Sequence, residues 1–357
     1  MINKGDLLKG MVSRGIYEVH IVPGSPIMFR NKVGDLETFE EGFVLPADTK
    51  ELVLNILNDV QKAEFVEKNE LDFAMTVPGF SRYRFSVFMQ RSSISMIIKT
   101  YPMKIPTLDE LRLHKGIKEI ILPLTKGLVL VTGPKGGGKS TTLAAVLNEI
   151  LAQRPVKMLT VENPMRYMLR NQKGVVCQRE IGIDVKDRGL LFDSLTNQSA
   201  DVIVVDEVSC LKELMTLILL SAGGTIVFLK MISPSITHAV EKLLSMFPPE
   251  QMAGARSLIA GALEGGFSQV LCRHTDNKTL IPAMEVYKAT NNMRQFIRED
   301  KLNQVYQVMG GSGRQLGMTN QEASLKALVK QNSIKEEEAM NKTSRPDEMK
   351  KLFASAY

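Results

Sequence analysis

The aliphatic run GLVLV at 127–131 opens onto the octet GPKGGGKS at 133–140. That in turn opens onto STTLAAVLNEILAQ, whose composition favours a helix. Strand, glycine-rich loop and helix in this order constrain the fold more than any other feature of the chain. The glycines let the backbone curl until its N–H groups point at a phosphate, and the helix N-terminus adds partial positive charge. Gly133, Pro134, Lys135, Gly136, Gly137, Gly138, Lys139, Ser140 and Thr141 are therefore the candidate nucleotide-binding residues. Lys139 is expected to reach the β- and γ-phosphates of ATP, and the Ser140 hydroxyl to ligate Mg²⁺.

A loop of this kind needs an acidic partner at the end of a neighbouring strand. DVIVVDE at 201–207 supplies one, four aliphatic residues followed by Asp206 and Glu207. One carboxylate can act on the metal and one can orient or deprotonate an attacking water, with Glu207 the candidate for both metal and catalysis. An Asp-Glu pair can also do no more than cap the next helix.

The other strand candidates of this half are VKMLTVE, GTIVFLKMI and IPAMEVY, separated by helical stretches. Short aliphatic runs alternating with helices predict an α/β fold with a largely parallel sheet covered on both faces. LMTLILLSAGGTIVFL at 214–229 reads as a buried helix, a turn at Gly223 and Gly224, and a strand. It falls short of the ~20 residues that span a bilayer. With no secretory leader at the start, the expected location is cytoplasmic.

The first ~105 residues are organised differently. YEVHIVP and RYRFSVFMQ alternate, SISMIIKTYP reads as a strand ended by Pro102, and TKELVLNILNDVQKAEFVEKN reads as the one helix of this part. Thr107 and Glu110 make a capping box that predicts a helix start near the boundary, and Thr319 with Glu322 makes a second one. The expected domains are 1–105, 106–318 and a helical tail over 319–357. The last charged residues read as a peripheral helix and a loose end.

Composition excludes more than it selects. Three scattered cysteines with no CxxC pair argue against a disulfide framework and a structural zinc site. A net charge of +6 fits an acidic partner or a plain solvated face. No aromatic-basic stacking platform points to nucleic acid.

GLVLVTGPKGGGKSTTLAAVLNEI, LTVENP, MFPPEQ and NNMRQFIREDKLNQVYQ resemble the PilT branch of the type IV pilus and type II secretion ATPases. YEVHIVPGSPIMFR and VPGFSRYRFSVF match in order and spacing, and MRQFIRE resembles a motif associated with the retraction ATPases. The resemblance implies a RecA-like P-loop ATPase domain with a smaller PAS-like α+β N-terminal domain. It also implies a hexameric ring with nucleotide between subunits, as a homo-hexamer or a hetero-ring with a paralogous ATPase. The ring would sit under the inner-membrane platform protein of a pilus. Glu162, in the acidic box, and Arg84, reaching the neighbour's nucleotide, are then catalytic candidates. An exposed strand residue beside a basic patch is the alternative for Arg84.

The chain departs from that family at its catalytic boxes. Asn163 replaces an acid and Arg166 stands where a second glutamate belongs, which removes a base and reverses the local charge. Thr225 and Ile232 occupy the places of two histidines, and His238 does not match the spacing. Ser92 and Lys99 stand near places where arginine is usual. Two functions follow as expectations: a slow ATP-hydrolysing pilus motor, or a nucleotide-binding subunit that assists or regulates a competent paralogue.

Overall fold

The computed structural model describes residues 4–31, 33–78, 80–101 and 103–354. Pro102, the expected end of a strand, lies outside them. The chain divides into two compact units, Met1–Lys104 with Asp276–Leu280, and Ile105–Thr275 with Ile281–Tyr357.

The first unit runs α1 (Lys4–Ser13), β1 (Glu18–Ile21), β2 (Ile27–Arg30), β3 (Leu36–Glu40), α2 (Pro46–Ile56), α3 (Asp59–Lys68), β4 (Glu70–Val77), β5 (Ser81–Gln90) and β6 (Ser93–Tyr101). Its strands pair antiparallel in the order β3-β2-β1-β6-β5-β4. The buried-and-half-buried alternation along β5 puts Tyr83, Phe85 and Val87 into the core. The single helix expected over 49–69 is two helices. Leu57 turns extended, and the Asn58 side chain then accepts from the Gln61 amide while the Asn58 amide donates to the Gln61 side-chain oxygen. This second N-cap outweighs the continuous apolar spacing.

The second unit runs β7 (Gly127–Thr132), α4 (Lys139–Gln153), β8 (Lys157–Glu162), β9 (Val175–Glu180), α5 (Arg188–Leu195), β10 (Val202–Asp206), α6 (Leu211–Ala222), β11 (Ile226–Lys230), α7 (Ile236–Leu244), α8 (Met252–Ala262), β12 (Leu263–Arg273) and β13 (Leu280–Lys288). α9 (Asn291–Arg298), α10 (Leu302–Gly310), α11 (Gln321–Lys330), α12 (Glu336–Lys342) and α13 (Pro346–Ala354) follow. The sheet order is β13-β12-β7-β11-β10-β8-β9, and every pairing from β12 to β9 is parallel. All residues of β7, β10 and β11 are buried, as apolar strands covered on both faces require, including the charged Asp206 and Lys230 that end β10 and β11.

Both capping boxes come out differently from expectation. Thr107 and Glu110 do exchange their hydrogen bonds, but Arg112 turns left-handed at φ 51° and no α-helix grows from them; the next helical element is a short π-helix at Ile117–Ile121. The cap of α11 is Asn320, whose side chain accepts from the Ala323 amide, while Thr319 exchanges backbone hydrogen bonds with Val286. The charged end forms α12 and α13, which bury Ala339 and Met349 against Val270, Cys272 and Ile281 of the last two strands, and residues 355–357, within the expected loose end, lie outside the described residues.

Candidate nucleotide site

The site lies at the C-terminal ends of the parallel strands, where β7 feeds the glycine loop and α4 leaves it. Gly133 sits at φ 140°, and a Cβ there would come 2.2 Å from the Gln269 carbonyl oxygen. β12 thus presses against the loop from below. The same Gln269 accepts from the buried Thr142 hydroxyl at 2.7 Å, tying β12 to the first turn of α4.

Lys139 is folded back into its own loop, donating to the Gly133 and Pro134 carbonyls at 2.7 Å each. Its burial, and then the charges of Lys230 and Arg166, lower its pKa to about 8. Such a group of like charges is uncomfortable alone and gains from a bound polyanion.

Lys230 is the largest contribution that sequence reasoning misses, since it reads there as one more residue of the strand candidate GTIVFLKMI. The parallel register sets it opposite Asp206 on one side and Val131 on the other. Its Nζ lies 2.5 Å from Asp206 Oδ1, an ion pair whose geometry is not that of an aligned hydrogen bond, and it donates to Ser140 Oγ at 3.2 Å. Arg166 Nη1 donates to the same Ser140 Oγ at 3.2 Å. A lysine closing an aliphatic strand, with its neighbour strand closed by an acid, was the available signal. Gln269 and Tyr167, whose hydroxyl is 2.8 Å from Thr141 Oγ1, carried none.

Glu207 follows β10 in a left-handed turn at φ 56°. Its amide donates to the Lys230 carbonyl, Arg188 donates to its carbonyl oxygen, and its exposed carboxylate accepts from the Ile232 amide at 3.3 Å. Arg188 is itself held by Glu213 at 2.6 Å. Glu162 ends β8, accepting from Thr160 and Gln178, and burial followed by the Asp206 charge raises its pKa.

The expected Mg²⁺ does not fit this arrangement. Ser140 Oγ already accepts from two cations and Asp206 is paired with Lys230, so Glu207, whose exposed carboxylate accepts one backbone amide, stands without the hydroxyl that was to share the cation.

Thr225 lies at the other end of β11, donating to the Ala200 carbonyl, so that box position does not reach the loop. His238 Nδ1 lies 2.7 Å from the hydroxyl of Ser235, the residue that caps α7. In the first unit Arg84 pairs with Asp72 at 3.2 Å, and Lys99 pairs with Glu18 at 3.1 Å. Arg91 and Ser92, both at positive φ, form the tight turn between β5 and β6.

A parallel sheet carrying this loop on β7 and an acidic strand end on β10 defines a RecA-like P-loop ATPase domain. Residues 88–353 match the family described as Type II/IV secretion system protein. The chain is 31% identical to the type IV pilus retractation ATPase PilT of Pseudomonas aeruginosa, over 96% of this chain and 98% of that protein. It is 28% identical to the type IV pilus ATPase PilU of the same organism, over 94% and 87%. The crystal structure of the pilus retraction motor PilT with bound ADP superposes at a TM-score of 0.86, with 28% identity, covering 98% of this chain and all of that one. The chain belongs to the type II/IV secretion system protein family, as a PilT-like ATPase. Among the described residues no helix is long and apolar enough to cross a membrane.

Proposed function

We propose that this chain is an ATP-driven motor subunit of a type IV pilus-like machine, forming a ring and hydrolysing ATP slowly in support of pilus retraction. The nucleotide part of the reading is supported by the convergence of Lys139 and Arg166 on one glycine loop at the start of α4, and the pilus part by the 31% identity to PilT over 96% of the chain. On binding, Lys139 leaves the Gly133 and Pro134 carbonyls for the phosphates, exchanging two hydrogen bonds to neutral oxygens for bonds to charged ones.

Glu207, exposed beside the loop, is the group that would orient or deprotonate the attacking water. Glu162 is a supporting carboxylate, and Arg84 would exchange Asp72 for a neighbouring subunit's nucleotide. Slow turnover follows from Asn163 and Arg166 at acidic-box positions, since losing one positioned acid–base group costs about 10²–10⁴ in rate. The ring would be a homo-hexamer or shared with a paralogue, cytoplasmic and bound peripherally at the inner membrane through the platform protein.

Steady-state phosphate release by the purified chain, compared with Lys139→Ala, tests the reading. We expect slow release that disappears in the variant. Equal rates, with ATP still bound by the unaltered chain, would favour the second reading, a nucleotide-binding subunit that assists a competent ATPase. The Asp206–Lys230–Ser140 arrangement speaks for that second reading, because it ties up the oxygens on which metal-assisted hydrolysis depends.

A further inference from the structure

The ammonium of Lys230 is buried in the central part of the sheet, with its side chain only 10% exposed and its partner Asp206 only 9%. A lysine taken out of water this far is costly unless a carboxylate and further hydrogen-bond acceptors meet it. Here they do, and both acceptors are informative. Asp206 is the acid at the strand end beside the loop, and Ser140 supplies the hydroxyl directly after the loop lysine. Between them they would otherwise be the protein oxygens of a divalent cation.

We propose that the Lys230 ammonium takes the divalent cation's place, so that this loop holds a nucleoside di- or triphosphate without metal. The inference rests on the reading of the loop as a nucleotide site and deepens it. An ammonium is a compact charge with three N–H donors. One is spent on Ser140 and the charge is balanced by Asp206, which leaves donor capacity for a phosphate oxygen over the loop. The Nζ–Oγ distance of 3.2 Å is a hydrogen-bond length, so the ammonium is already seated on the hydroxyl that would otherwise face the cation. The Arg166 guanidinium on the same hydroxyl adds a second positive charge that a metal at this point would have to face. Lys139 and Arg166 keep their charge available to the phosphates once Lys230 and Asp206 have cancelled each other.

Binding of a fluorescent ATP analogue to the full chain, titrated in excess EDTA and again in excess Mg²⁺, tests this. We expect dissociation constants that agree within about twofold. In Lys230→Met, which keeps the aliphatic length and drops the charge, affinity in EDTA should fall by about tenfold or more, and Mg²⁺ should restore part of it. Lys230→Gln should behave in the same way if the methionine variant does not fold.

Binding by the unaltered chain that is about tenfold or more weaker in EDTA overturns the substitution and leaves the nucleotide site standing. So does a folded, uncharged variant that binds as the unaltered chain does in EDTA. Absence of binding under both conditions overturns the inference together with the reading beneath it.

Discussion

A Cβ at Gly133 would meet the Gln269 carbonyl at 2.2 Å, whereas one at Gly136, φ 80°, would meet nothing within 4 Å. The two glycines of one loop therefore differ in what a methyl group costs. Gly136→Ala should cost only the left-handed backbone, about 1 kcal/mol. Gly133→Ala adds a collision with rigid backbone to a conformation that already costs about 1–3 kcal/mol. We expect it to lower the melting temperature by about 5 °C or more and to abolish nucleotide binding. Thermal denaturation of the two variants side by side checks the contrast, and equal melting temperatures would remove the bracing role given to Gln269. The loop itself was legible because its spacing is a local pattern. Gln269 was not, because a glutamine in a strand says nothing about which loop lies beside it. Lys230 was half legible, its partner Asp206 being set by a strand register that sequence does not print.

At the scale of elements, legibility follows the same division between local and distant causes. β7, β10 and β11 are unbroken aliphatic runs and declare themselves, whereas β9 (VVCQRE) and β12 (LEGGFSQVLCR) mix polar residues and glycines and are recognisable only by their neighbours. The segment MRQFIRE stands out in the sequence by resemblance alone, and the structure supplies a physical reason for its arginine. Arg294, on α9, donates from Nη1 to the Ala260, Gly261 and Leu263 carbonyls, at 2.5, 2.9 and 3.3 Å, and from Nη2 to Glu264 at 2.7 Å. It satisfies carbonyls left over where α8 ends, with a charge of the sign the helix C-terminus favours. Arg294→Ala should cost about 2 kcal/mol through the lost charge-assisted bonds. Arg294→Lys should recover only part, because a point charge cannot reach several acceptors as a planar fork does. Urea denaturation of both variants reads this, and an alanine variant as stable as the parent would reduce Arg294 to a surface contact.

Across the whole molecule, the two units carry carboxylates shifted in opposite directions, one half-buried and one fully buried. In the first, Glu18 has His20 Nε2 at 2.8 Å and is flanked by Arg30 and Lys99 at 3.3 and 3.1 Å. The His20 contact first, with Lys99 after it, lowers its pKa from 4.5 to about 2 against the opposing effect of burial. In the second, Glu285 of β13 is 1% exposed, accepts from the Ile236 amide at 3.0 Å, and leaves Oε2 without a hydrogen-bond partner among the described residues. Burial pushes its pKa up to about 8, with Glu322 adding to the rise. A depressed carboxylate gives stability that is present above the unfolded value and lost as pH falls through the folded one, so Glu18 weakens the first unit between about pH 4.5 and 2. A raised one gives stability that is complete below the unfolded value and lost as pH climbs through the folded one, so Glu285 weakens the second unit from about pH 4.5 up through 8. Hydrogen exchange read by mass spectrometry, corrected for intrinsic rates, follows peptides of each unit separately. Protection of β12, β13 and α7 should decline from pH 6 to 9 while that of β1, β5 and β6 holds steady. Glu285→Gln keeps an acceptor for Ile236 and cannot ionise, so it should flatten the decline. If the variant declines as the parent does, the buried proton on Glu285 is not what sets the alkaline limit of this fold.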